Sequence, residues 1–144
     1  MEIKKVKKGV YYLQDPIKKA GKEIIDFLSE EAEKEKLNMT RCCLHLSEES
    51  ILMSMIILVK NKYIYPIHKH EWKDESYSII LGDCIYEEYN DNGEIEFSVT
   101  LRQGDTLLNS NKNFHLMRPL SNNFCFIETT IGPFINRKPD FMNK

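Results

Sequence analysis

The stretch Tyr65–Gly82, YPIHKHEWKDESYSIILG, holds two of the four histidines in the chain, His68 and His70, one residue apart. Residues i and i+2 of an extended strand leave it on the same side, so this spacing aims both imidazoles one way. Glu75 follows His70 by five positions, an odd step that would face away on one continuous strand. A turn must intervene, and Glu71–Asp74 (EWKD) has the length and polarity of one. Beyond it Glu75 heads a returning strand that ends at Gly82. Two histidines on one strand and a carboxylate on its neighbour can then converge on one point.

The segments on either side read the same way. RCCLHLS (41–47), ILMSMIILV (51–59), CIYEEYN (84–90), EIEFSVTL (94–101), DTLLNS (105–110), FHLMRPL (114–120) and FCFIETTIG (124–132) are short and rich in β-branched and aromatic residues. Turn signals separate them, among them Ser47-Glu48-Glu49, Gln103-Gly104-Asp105 and Ser121-Asn122-Asn123. Asn92-Gly93 suits a tight hairpin turn that needs positive φ. Evenly spaced short strands of this kind predict an all-β antiparallel sandwich or barrel. Only the region before Thr40 carries a helical period. There Asp15 is the expected N-cap and Pro16 the first helical residue, with Ile17, Ala20, Ile24, Phe27, Leu28 and Ala32 forming one apolar stripe over residues 16–36. The predicted division is therefore an N-terminal arm and helix at 1–39 and a β-barrel domain at 40–144.

Composition narrows the class. The chain has 144 residues, enough for one domain with a real core, and its 42% hydrophobic and 29% charged content is that of a soluble globular protein. Twenty basic and 22 acidic residues leave a formal charge of −2, which argues against nucleic acid as a partner. The basic cluster Lys4–Lys8 reads as a solvated arm. The longest apolar run, Ile51–Val59, is nine residues, against the roughly 20 a membrane-spanning helix needs. No secretory signal opens the chain, and Cys42, Cys43, Cys84 and Cys125 lack metal spacing, so free thiols in the cytoplasm are expected. Adjacent Cys42 and Cys43 would point to opposite faces of their strand.

The chemistry is concentrated in one pattern. H-x-H-x4-E-x6-G (His68, His70, Glu75, Gly82), followed by G-x10-H (Gly104, His115), resembles the two metal-binding motifs of the cupin superfamily. It implies a cupin double-stranded β-helix, or jelly roll, with His68, His70, Glu75 and His115 holding one divalent ion. Three nitrogens and an oxygen suit zinc, iron, manganese or nickel without choosing among them. The motifs depart from the family at Lys62, Ser110, Lys112 and Pro119, which stand where glycine, proline, glycine and asparagine are usual. Those positions shape turns rather than supply ligands.

A second group faces the same interior. Strand alternation puts Arg41, Cys43 and His45 on one face, which is either an open sheet surface or a pocket wall. It also puts Glu128 beside Phe124 and Phe126. An inward carboxylate must be paired, hydrogen-bonded or functional. For Glu128 the alternatives are a buried ion pair with Arg41 or a catalytic role.

The order Arg41-x3-His45, P-x-H-x-H, YNDNGEI, G-x10-H and FIETTIGPF resembles the WbuC-type cupin metalloproteins over about residues 40–135. The family's APW-like end is replaced here by KPDFMNK. The resemblance implies a bacterial surface-polysaccharide (O-antigen or capsule) context, with a sugar or nucleotide-sugar as ligand and room for a homodimer. The expected function is metal-dependent isomerase or epimerase chemistry, with Glu128 and His45 moving protons and Arg41 binding an anionic group. A non-catalytic sugar-binding module and an Fe(II)-dependent dioxygenase are the alternatives.

Overall fold

The computed structural model describes residues 1–110, 112–134 and 137–142. Two β-sheets face each other, as the alternation predicted. One has seven strands in the order β1-β2-β3-β4-β11-β6-β9, the other five in the order β12-β5-β10-β7-β8. The strands are β1 (Ile3–Lys7), β2 (Val10–Leu13), β3 (Met39–Cys43), β4 (Leu52–Lys60), β5 (His68–Lys69), β6 (Glu75–Leu81), β7 (Cys84–Tyr89), β8 (Ile95–Leu101), β9 (Thr106–Asn109), β10 (Phe114–Pro119), β11 (Asn123–Ile131) and β12 (Asp140–Phe141). All pairings are antiparallel except β2 with β3, which run parallel. The helix α1 (Lys22–Glu35) connects that pair, as a parallel connection requires.

Alternation along the large sheet divides the core in two. Cys43, Met55, Ile57, Tyr77, Ile79, Phe124 and Phe126 face the space between the sheets, together with Cys84 and Tyr86 from the small sheet. Cys42, Ile56, Leu58 and Cys125 face the other way, onto Ile24 and Leu28 of α1. The adjacent cysteines thus belong to different cores, and both are free thiols. Burial pushes Cys42 up to about 12 and Cys43 to about 11, so neither is a nucleophile at neutral pH.

The helix differs from expectation at its start. Asp15 does not cap it; its Oδ1 accepts the Glu2 N–H at 2.7 Å, and the N-cap is Gly21, without a side-chain cap bond. The chain leaves β2 at Leu13 and must cross the sheet edge before α1 can lie on Ile56 and Leu58. Residues 14–21 are that crossing, and Ile17, placed on the apolar stripe by its spacing, is 82% exposed. The C-terminus closes at Lys36, whose φ of 56° turns its N–H back onto the carbonyls of Ala32 and Glu33. Residues 3–13 are likewise more than an arm. The lysines of β1 are solvated, but its backbone pairs with β2, whose Tyr11 and Leu13 are buried.

The β7–β8 hairpin forms where Asn92-Gly93 predicted it. Only Gly93 takes positive φ (82°), and its N–H bonds the carbonyl of Asn90 at 3.1 Å. The replaced C-terminal segment contributes β12, with Phe141 opposite His68; its last two positions, 143–144, lie outside the described residues.

Candidate metal centre

The four predicted donors come from four places in the fold and meet between the sheets. His68 on β5 stands directly opposite His115 on β10. The chain then passes His70, turns through residues 71–74 as the spacing required, and enters the other sheet at Glu75. Gly82 ends β6 at φ +76°, where a Cβ would stand 2.7 Å from the carbonyl oxygen of Asn123. No other residue fits that turn without moving the backbone.

Glu75 is the hub. Its Oε1 lies 3.4 Å from His115 Nε2 and 3.8 Å from His70 Nε2. The His68 ring centroid lies 4.5 Å from that of His115 and 5.2 Å from that of His70. Donors each about 2.1 Å from one ion stand roughly 3.0–3.4 Å from one another, so the Glu75–His115 spacing already meets this. The ring centroids of His70 and His115 lie 6.4 Å apart. Among the described residues no group of three or more His, Cys, Asp or Glu side chains is arranged to hold a metal ion.

The chemistry of the donors fits an ion all the same. His68 Nδ1 lies 2.8 Å from the Pro66 carbonyl, and His115 Nδ1 lies 3.0 Å from that of Asn113. Each carbonyl accepts the Nδ1 proton and so leaves the lone pair on Nε2, the tautomer a metal ligand needs. Burial holds all three imidazoles neutral: His68 falls to about 4, His70 falls further with Lys73 beside it, and His115 is lowered. Glu75 Oε2 is buried without a hydrogen bond. The Tyr77 hydroxyl lies 3.2 Å from His115 Nε2.

The second group lies on the same inner face. Glu128 is paired with Met55 and Tyr77 across β11, and is partly open to the space between the sheets. Burial, then the neighbouring charge of Glu75, pushes its carboxyl up to about 8, against the pull of Lys73 and Arg41. Arg41 makes no ion pair among the described residues, and its Nε is buried without a partner. That removes the buried Arg41–Glu128 pair as the account of either residue. His45 is buried, its ring edge-on to Tyr12 at 5.5 Å and its Nδ1 3.1 Å from both the N–H and the carbonyl oxygen of Ser54. Burial and then Arg41 lower its pKa, against the Ser54 backbone. His45, an open-surface residue in one reading, is therefore part of an inner wall.

Sequence reading passed over two residues here. Lys73 reads as turn polarity in EWKD, yet it is 4% exposed, because the turn folds inward between the sheets. Tyr77 was legible by alternation, two residues after Glu75 on the same strand face. A groove of about 780 Å³ lies elsewhere, on the outer side of the five-stranded sheet beside Tyr65, Tyr89 and Arg118. It holds none of the donors.

No protein-family model matches the chain, and no curated protein matches it. Solved structures do. An uncharacterized conserved protein with a double-stranded β-helix domain from Klebsiella pneumoniae superposes with a TM-score of 0.57 at 14% identity, over 74% of this chain and 86% of that one. KdgF from Halomonas sp. does so with 0.55 at 16% identity, over 65% and 80%. A cupin superfamily protein from Desulfitobacterium hafniense does so with 0.54 at 13% identity, over 65% and 76%. At these identities the likeness is one of fold: a mostly β structure with one short helix. No helix among the described residues is long and apolar enough to cross a membrane.

Proposed function

We propose that this chain is a metal-dependent cupin enzyme of the WbuC type that moves a proton on a sugar or nucleotide-sugar bearing an anionic group. The observation that carries the reading is Glu128, a carboxyl raised to about 8 on the same inner face as His68, His70, Glu75 and His115. His68, His70, Glu75 and His115 would hold the ion. A divalent ion so bound supplies Lewis-acid polarisation of a carbonyl and its neighbouring hydroxyl. Glu128 carries its proton at neutral pH and exchanges it with a substrate atom whose charge changes, the task of a general acid whose pKa lies near the working pH. Arg41, unpaired, presents donors to a carboxylate or phosphate. His45, edge-on to Tyr12, is a further polar group in the wall.

The test uses protein purified without chelating resin. Its metal content is measured, and it is then incubated with a panel of sugars and nucleotide-sugars in deuterated water. Deuterium entering a substrate carbon, lost in Glu128→Gln with ligand affinity retained, is the expected result. Bound metal and bound sugar with no exchange at any carbon would make the chain a binding module instead.

A further inference from the structure

The turn from His70 to Glu75 buries a lysine, a side chain that ordinarily keeps its ammonium in water. Lys73 Nζ lies 3.6 Å from Glu75 Oε2 and 4.3 Å from the centre of the Phe134 ring. It lies 5.2 Å from the Trp72 ring, on which the Arg137 guanidinium also packs at 4.8 Å. Glu75 is thus divided: Oε1 faces His115 and His70, while Oε2 faces a fixed cation. Oε2 has no hydrogen bond, and its approach to Lys73 is the ion pair found for it among the described residues.

We propose that Lys73 is a built-in competitor of the divalent ion for the carboxylate of Glu75. It neutralises the carboxylate when no ion is bound, and it lowers the ion's affinity below what the four donors alone would give. The proposal rests on reading those four side chains as metal donors. Two cations that share one buried carboxylate repel each other, and water is too scarce there to screen them. Aromatic faces on two sides make retreat of the ammonium costly. Lys73 also ties down Oε2, which leaves Oε1 as the oxygen available to the ion and disfavours bidentate coordination.

Lys73→Met and Lys73→Gln, stripped of metal, are titrated calorimetrically with Zn²⁺ and Mn²⁺, and their thermal midpoints are measured with and without ion. The expected pattern has two opposite signs. The metal-free midpoint falls below wild type, because Glu75 loses its counter-charge, while ion affinity rises at least tenfold. A lysine that only holds the turn would lower the midpoint and leave affinity equal or weaker, and that overturns the proposal. Should neither variant fold, the Lys73 Nζ nitrogen resonance in wild-type protein decides: it shifts on ion addition if the two compete, and stays still if they do not. Wild-type protein that folds and binds no ion would overturn the metal reading itself, and this proposal with it.

Discussion

Arg41 and Glu128 face one interior without forming an ion pair, and that separation distinguishes a working wall from a structural one. Had they been a buried pair, removing either would strand a charge and cost several kcal/mol, about 3–5. Without that pair, Arg41→Lys should leave stability within about 1 kcal/mol, yet weaken an anionic ligand because the planar two-donor fork is gone. Equal thermal midpoints with a weaker binding isotherm is the expected outcome; a collapsed midpoint would return Arg41 to the scaffold. Glu128→Gln should cost about 10²–10⁴ in turnover, the usual share of a general acid–base group. Its pH signature is separate from activity. The folded carboxyl titrates at about 8, above the ordinary 4.5, so the stability it contributes is complete below 4.5 and lost as pH rises through 8. Glutamine has no proton to lose, and denaturation midpoints at pH 9 should favour the variant over wild type.

At the scale of elements, the convergence of His68, His70, Glu75 and His115 was legible because period-two alternation and one forced turn leave Glu75 few places to go. Gly82 tests that logic. Its φ of +76° and the 2.7 Å approach of the Asn123 carbonyl mean that Gly82→Ala should cost about 1–3 kcal/mol, read as a lower denaturation midpoint. What was not legible has a common cause. The start of α1 depends on how far the chain must travel from Leu13 to reach Ile56 and Leu58, a distance that no local spacing records. Asp15 and Pro16 form a good helix start chemically, but the crossing needed those residues as linker. Lysines along β1 look solvated because they are, and only partner strands reveal that their backbone is paired. Lys73 was hidden in the same way, a polar residue in a polar turn whose burial depends on Trp72 and Phe134. The helix itself is held from the sheet side: Leu28 is fully buried against that face, and Leu28→Ala should cost about 2–5 kcal/mol without altering metal content.

For the whole molecule, the histidines and Glu128 together set a stability profile in pH. The chain has four histidines, and burial lowers every one of them below the ordinary 6.5. As pH falls through 6.5 the unfolded chain gains protons that the native state does not take up. Stability therefore drops at up to about 1.4 kcal/mol per pH unit for each histidine, until the native imidazoles begin to titrate, His68 near pH 4. Glu128 slopes the other way, since the native state holds its proton from 4.5 up to about 8 while the unfolded chain has lost it. Below about pH 7 the four histidines outweigh that one carboxyl; above it the carboxyl dominates. Metal-free protein should thus be most stable near pH 7, falling steeply on the acid side and gently toward pH 8. Urea denaturation at half-unit steps from pH 4.5 to 9 measures this directly. Added Zn²⁺ should raise the curve most at and above neutral pH, because protons and the ion compete for the same Nε2 lone pairs. A flat acid limb would mean that the histidines are charged in the folded state, and neither the neutral donor set nor the metal centre built on it would survive that result.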